Sequence, residues 1–190
     1  QVSTYTWIVI PLYTIMSFLI LIGELGTSAF YGAYKWIGQL RGGLGLAVIA
    51  GSTFLAAVVG TGVAAIVTMG LVALPEMRKY KYADSLSTGT ICAGATIGPI
   101  IPPSIPFIVF GIITQTSIGA LFIAGIIPGI LLAFSFVAVI IIWARINPGV
   151  APPAERVSWR EKFGSLPVFG PILLLFIIVL GGIYAGVITV

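Results

Sequence analysis

An all-α polytopic membrane protein is what this sequence predicts, and three observations carry the expectation. Apolar residues make up 59% of the chain and charged residues only 7%, against about 25% charged in average soluble proteins. The apolar residues come in runs long enough to cross a hydrocarbon core of about 30 Å. The lysines and arginines gather in clusters between those runs, a distribution that sets membrane orientation. Two of the runs are interrupted, so the expected architecture includes a re-entrant helical hairpin and a broken helix.

Several kinds of chemistry have little to work with. Histidine is absent, which removes the commonest general base. The five acids, Glu24, Glu76, Asp84, Glu155 and Glu161, are scattered, and no nucleophile and base pair marks an enzyme. The single cysteine, Cys92, leaves no partner for a disulfide within the chain and reads as a small core residue. No basic stripe with interleaved aromatics suggests a nucleic-acid partner, and no organic cofactor is expected. The sequence starts at Gln1 and stops at Val190 inside an apolar run, so it reads as part of a longer polypeptide.

The first span is expected over residues 5–25, with Glu24 at the interface. Residues 27–40 mix Phe30, Tyr31, Tyr34 and Trp36 with Lys35, a composition suited to a helix lying in the headgroup region. Residues 44–74 are apolar throughout, bounded by Arg41 on one side and Arg78, Lys79 and Lys81 on the other. One helix of that length would measure about 46 Å at ~1.5 Å per residue, half as long again as the bilayer core. Gly60-Thr61-Gly62 at its centre favours a turn. Basic residues at both ends place both on the cytoplasmic side, so residues 44–59 and 63–74 read as a re-entrant hairpin. A tilted, glycine-kinked single span is the alternative. Gly42, Gly43, Gly45 and Gly51 are expected to serve close packing.

A helix then starts near residue 83, with Asp84 or Ser85 as its cap. It breaks across Gly98-Pro99-Ile100-Ile101-Pro102-Pro103-Ser104 and resumes after Pro106 to residue 113. Thr114 to Ser117 form an outer loop without basic residues; residues 118–144 cross back, and residues 147–165 are a polar connection carrying Arg156, Arg160 and Lys162. Residues 166–187 are the last expected span. With the amino terminus outside, every basic cluster falls on one face of the membrane.

In hydrocarbon an unpaired backbone group costs several kcal/mol, so irregular backbone survives only where protein or a water-filled cavity satisfies it. The two interruptions therefore draw attention as a site. Prolines in the second remove N–H donors and free carbonyls of Gly98, Ile100 and Ile101. Such carbonyls, with half-helix C-termini, suit a hard cation such as Na⁺. The half-helices restarting after Gly62 and Ser104 present N–H groups to a carboxylate. The candidate cation ligands are Gly60, Thr61, Gly62, Gly98, Pro99, Ile101 and Ser104; Thr96, Val63 and Ile105 are the candidate substrate contacts. Read alone, Gly-Thr-Gly also fits small-residue helix packing, and Pro-Pro-Ser also fits a plain kink.

At this point the residues resemble a known family. "TIGPIIPPSIPFIVFG" and "TSIGALFIAGIIPGILLA", with Ile10-Pro11-Leu12-Tyr13 upstream and "ALPEMRKYKY" at the hairpin exit, are similar to the large membrane subunit of tripartite ATP-independent periplasmic (TRAP) transporters, the DctM-like family. The resemblance covers nearly the whole chain. It implies the first half of an inverted-repeat, elevator-type transporter, lacking the second repeat and the initial helices. Residues 1–41 would be a scaffold span and interfacial arm helix, 42–145 half of the transport domain, and 146–190 a cytoplasmic loop and following span. It further implies a multi-pass protein of a bacterial or archaeal cytoplasmic (inner) membrane, surrounded by membrane lipid. Its partners would be a small TRAP membrane subunit and a periplasmic substrate-binding protein that delivers an organic anion, with Na⁺ as coupling ion. One departure stands out: the family's hairpin tip often reads Ser-Gly-Ser, and here it is Gly60-Thr61-Gly62, with fewer hydroxyls. A channel-like pore, or a scaffold without ion coupling, is the alternative.

Overall fold

The computed structural model describes residues 11–12, 15, 18–19, 22–23, 25–102, 104–152, 158–165, 170, 174, 177–178 and 181–182. The expected first span over 5–25 and last span over 166–187 fall largely outside these, as do Glu24 and Pro103. Among the described residues all regular structure is helical. The order is α1 (Leu25–Ile37), α2 (Gly43–Val59), α3 (Gly62–Lys79), α4 (Asp84–Ile97), a 3₁₀ turn (Gly98–Ile100), α5 (Ile105–Thr114), α6 (Ile118–Ile146) and α7 (Trp159–Gly164). Among the described residues two stretches are long and apolar enough to cross a membrane: Asp84–Thr114, which contains the break, and Ile118–Ile146.

Helix α2 is the axis of the assembly. Its sequence is apolar on every side, the pattern of a helix surrounded by others, and almost all of it is buried against α1, α3 and α4. Small residues let the neighbours come close. A Cβ at Gly51 would stand 3.2 Å from Phe30 Cα and 2.7 Å from Met69 Cε, so α1 and α3 both press on that position. Phe30 is fully buried there and Tyr34 stacks on it, its hydroxyl donating to Tyr80 at 2.8 Å. The expected interfacial helix thus lies against the hairpin, and it stops at Ile37.

The chain reverses between α2 and α3. Gly60 adopts φ 73°, a left-handed geometry that glycine takes at no steric cost, and its N–H bonds Ala56 O at 2.8 Å. Thr61 is extended, and α3 then runs back along α2. Residues 43–79 are therefore two helices packed side by side about a turn rather than one continuous helix. Its outer ends meet: the Leu44 N–H donates to the Tyr82 hydroxyl at 3.4 Å. Helix α3 buries the row Ala65, Met69, Ala73 and Met77 and exposes Val63, Val67 and Leu71. It continues beyond residue 74, through Pro75, because buried Met77 anchors the last turn.

Several local expectations are corrected. The cap of α4 is Ala83, without a side-chain hydrogen bond; Asp84 stands one residue later, in the first turn, and meets the Arg78 guanidinium at 2.9 and 3.0 Å. Helix α5 begins at Ile105, before Pro106, since proline fits the first helical turn. Cys92 is exposed on α4, on the side away from the α2 contact made by Gly94 and Gly98. Helix α7 interrupts the polar connection. Ser158 and Glu161 form a reciprocal capping box, and Phe163 sets its ring edge-on to Trp36 of α1 at 6.0 Å.

Basic residues collect at one end. Gly42 packs on Ile140 and Ala144 near the close of α6, and Ala83 N–H bonds Val150 O at 3.1 Å. The α2 start, α3 exit and α6 close are therefore neighbours, and Arg41, Arg78 and Arg145 share that end. Tyr82 ties it together, and burial pushes its phenol up to about 12. A raised phenol favours the neutral form in the folded state, so its contribution is complete below the ordinary value near 10 and disappears as pH rises through about 12. Tyr82→Phe is expected to flatten alkaline melting between those limits, while costing about 1 kcal/mol near neutrality for the lost Leu44 bond. Thermal unfolding from pH 7 to 12 in detergent reads both effects.

Candidate functional site

The hairpin tip and the helix break come together. Helix α4 lies on α2 through Gly94 and Gly98. A Cβ at Gly94 would be 2.6 Å from Ser52 Cβ and 2.9 Å from Ile49 O; one at Gly98 would overlap the Ala56 side chain and stand 2.6 Å from Ala56 C and 2.7 Å from Ala57 N. The two glycines stand four positions apart, the spacing at which small residues on one helix face let backbones touch. Thr53 adds a hydrogen bond across the contact, donating to Gly94 O at 3.2 Å. Just past the turn, Gly62 sits over Ala95 O, which a Cβ would approach to 2.9 Å, and its other neighbour is Pro99 at 3.8 Å. The start of α3 is therefore seated on the break.

Helix α6 covers the opposite side. A Cβ at Gly125 would overlap the Phe107 ring and stand 2.5 Å from Ile100 O, and one at Gly129 would be 2.8 Å from Ile101 Cγ1. Irregular backbone at this depth is thus enclosed by α2 on one side and a second pair of glycines on the other, which meets the requirement that such backbone be buried in protein.

Inside the break the polar groups are largely assigned to one another. The Ile101 N–H is shared between Ile97 O at 3.2 Å and Gly98 O at 3.1 Å, the tightened geometry of a 3₁₀ turn. Ile101 is extended, and Pro102 is buried. Ser104, fully buried, donates its hydroxyl to Pro99 O and accepts the Phe107 N–H at 3.4 Å. It closes the gap between the two half-helices.

The other candidates are distributed as follows. Gly60 is buried, whereas Thr61 is exposed and its side chain does not cap α3. The N-terminus of α3 is therefore free of a side-chain cap, while that of α5 has Ser104. Val63 is 75% exposed beside Thr61. Thr96 is exposed on α4 and bonds Ala93 O at 2.8 Å, and Ile105 is half-buried in the first turn of α5. The structure thus brings Gly62, Gly98 and Pro99 together and turns Ile101 towards α6. Among the described residues no three acidic, histidine or cysteine side chains converge, so a cation held here would take hydroxyl and carbonyl oxygens, the donors hard cations prefer. Gly94, Gly125 and Gly129 were not singled out from sequence; the Gly-x-x-x-Gly spacing that each pair shows was the available signal. Ser52 also went unnoticed. Its hydroxyl is fully buried at the α2–α4 contact, the one buried side-chain polar atom without a partner among the described residues.

Comparison with known proteins places the chain. Residues 1–190 match the family described as "Tripartite ATP-independent periplasmic transporter, DctM component". The chain is 36% identical over 187 residues to the C4-dicarboxylate TRAP transporter large permease protein DctM of Pseudomonas aeruginosa, covering 97% of this chain and 43% of that protein. It is 35% identical to the ectoine TRAP transporter large permease protein TeaC of Halomonas elongata, over 95% of this chain and 42% of the relative. With the sialic acid TRAP transporter large permease protein SiaM of Vibrio cholerae the identity is 30%, over 99% and 44%. The chain spans somewhat over two fifths of the length of these relatives. They are transport proteins rather than enzymes, and the apolar spans agree with an integral membrane protein. By its match over every residue, this chain belongs to the DctM family of TRAP transporter large permeases.

Proposed function

We propose that the chain forms the first of two repeat-related halves of a secondary active permease that takes up an organic anion with Na⁺. The observation that carries this reading is the seating of Gly62 on Ala95 and Pro99: a hairpin tip and a helix break of complementary chemistry share one place. In this reading α2 and α3 enter and leave the membrane from the same side, and the helices move as an elevator against a scaffold. Thr61 contributes a hydroxyl to the cation, Gly60, Gly62, Gly98, Pro99 and Ile101 contribute backbone oxygens, and Ser104 holds the Pro99 carbonyl in place. A substrate carboxylate approaches the uncapped start of α3 at Gly62 and Val63, with Thr96 and Ile105 flanking it; the partial positive charge of a helix N-terminus favours it there. The relatives named for C4-dicarboxylates and sialic acid support an organic acid. A small membrane subunit and a periplasmic binding protein complete the assembly in the cytoplasmic membrane of a bacterium or archaeon.

The test is uptake by the intact transporter in liposomes, with its binding protein outside and a Na⁺ gradient imposed. Uptake is expected to collapse with the gradient, and Thr61→Ala to raise the Na⁺ concentration for half-maximal uptake about tenfold, the worth of one lost oxygen contact. Uptake indifferent to Na⁺, or unsaturable electrical flux, would favour a channel-like pore.

A further inference from the structure

A second site lies outside the break. A cavity of about 540 Å³ runs between α2 and α6, bordered by Ile37, Leu46, Ala50, Ile130 and Val137 and closed at its far end by Ile101 of the break. Its lining is apolar; Thr53, which also borders it, directs its hydroxyl to Gly94 O at 3.2 Å. Along α2 the lining extends from Leu46 to Ala57, roughly 16 Å at ~1.5 Å per residue and so about half of a 30 Å hydrocarbon core. The cavity therefore has the depth of one leaflet.

Its near end is the basic end of the molecule. Gly42 packs against Ile140 and Ala144, its Cβ position 3.2 and 3.1 Å from them, which makes neighbours of the adjoining residues Arg41 and Arg145. Both arginines are exposed, and neither has an ion pair among the described residues. Two exposed arginines carried on the chain just beyond the near end of an apolar, leaflet-deep cavity match one kind of molecule: an anionic phospholipid, with an acyl chain in the cavity and its phosphate reaching back to the arginines. We propose that this cavity is a bound-lipid site for an anionic phospholipid of the leaflet on the basic side. Bidentate recognition of phosphate by arginine fixes the head, and the acyl chain fills space that no described side chain occupies. The tail ends on Ile101, so the lipid forms one wall of the helix break. The proposal does not depend on Na⁺ coupling.

Native mass spectrometry of the intact transporter, titrated with phosphatidylglycerol or phosphatidylcholine, tests it. One phosphatidylglycerol is expected to survive activation conditions that strip phosphatidylcholine. The pair Arg41→Gln and Arg145→Gln is expected to weaken its retention roughly thirty-fold, from the attraction each basic residue exerts on anionic lipid. Ala50→Trp, which fills the cavity from the exposed side of its α2 wall without altering charge, is expected to displace both lipids, with elution and helicity unchanged as the control for folding. Equal retention of the two lipids by the wild type, or retention of phosphatidylglycerol undiminished in the arginine variant and in a folded Ala50→Trp protein, overturns the site. The last result is what a polypeptide segment already filling the cavity would give.

Discussion

Gly98→Ala is expected to eliminate uptake and to lower the melting temperature of the purified protein more than a methyl added at any glycine of α4, which ends just before it. The added carbon would overlap Ala56 Cβ and crowd Ala56 C and Ala57 N at 2.6 and 2.7 Å. Two of those three atoms belong to the backbone of α2, which cannot rotate aside. Overpacking of this kind costs about 1–3 kcal/mol, occasionally more, and the upper end applies where backbone must yield. Nothing in the bilayer offsets it, because lipid is as apolar as the helices and association rests on close packing. Gly89→Ala, within α4, supplies the contrast. Nothing lies within 4 Å of its Cβ position, so alanine there gains about 0.5–1 kcal/mol of helical preference and is expected to leave uptake intact. Adding Ala56→Gly to Gly98→Ala removes the worst overlap but not the backbone crowding, and a partial recovery of melting temperature is expected. If Gly98→Ala melts and transports like Gly89→Ala, the α2–α4 contact is wrong, and with it the meeting of tip and break.

How much of this was legible beforehand depends on what kind of physics specified it. The hairpin was readable because three demands agreed: the run was too long for one crossing, Gly60 allowed a left-handed turn, and basic residues flanked both ends. The break was readable because proline forbids helix by covalent geometry, whatever its surroundings. The location of α4's cap was not, since Asp84 stands one residue later, in the first turn, where it pairs with Arg78, and that pairing follows from how the turn at Lys81 (φ 59°) folds back. Helix α7 was hidden by its polar composition, although Ser158 and Glu161 stand at capping-box spacing. Cys92 was misplaced because apolar periodicity does not tell which face of α4 meets α2; Gly94 and Gly98 decide it. For the candidate site, sequence identified the two interruptions but not their contact. That contact is made by glycines, whose role is to have no side chain, and absence leaves little to read except spacing.

Ser104 and Thr61 entered as equivalent hydroxyl ligands, and the structure gives them opposite surroundings, from which opposite responses follow. Ser104 is fully buried, and its hydroxyl serves Pro99 O and Phe107 N–H at once. Ser104→Ala would leave both groups without that partner: the Phe107 bond is the cap of α5, a loss typically near 1 kcal/mol, and the part-buried Pro99 carbonyl adds about as much. The expected result is a marked fall in melting temperature and in uptake rate at every Na⁺ concentration, because the break itself loosens. Ser104→Thr retains the hydroxyl and is expected to recover part of the stability, the extra methyl limiting the rest in a site without spare volume. Thr61 is exposed and does not cap its helix, so Thr61→Ala has little to disturb in the fold. Its expected signature is the converse: an unchanged melting temperature with a shifted Na⁺ dependence. Melting curves and Na⁺ titrations of uptake for the three variants separate these roles. A shift in Na⁺ dependence for Ser104→Ala at constant stability would make Ser104 a direct ligand, and a destabilised Thr61→Ala with unaltered Na⁺ dependence would remove Thr61 from the cation site.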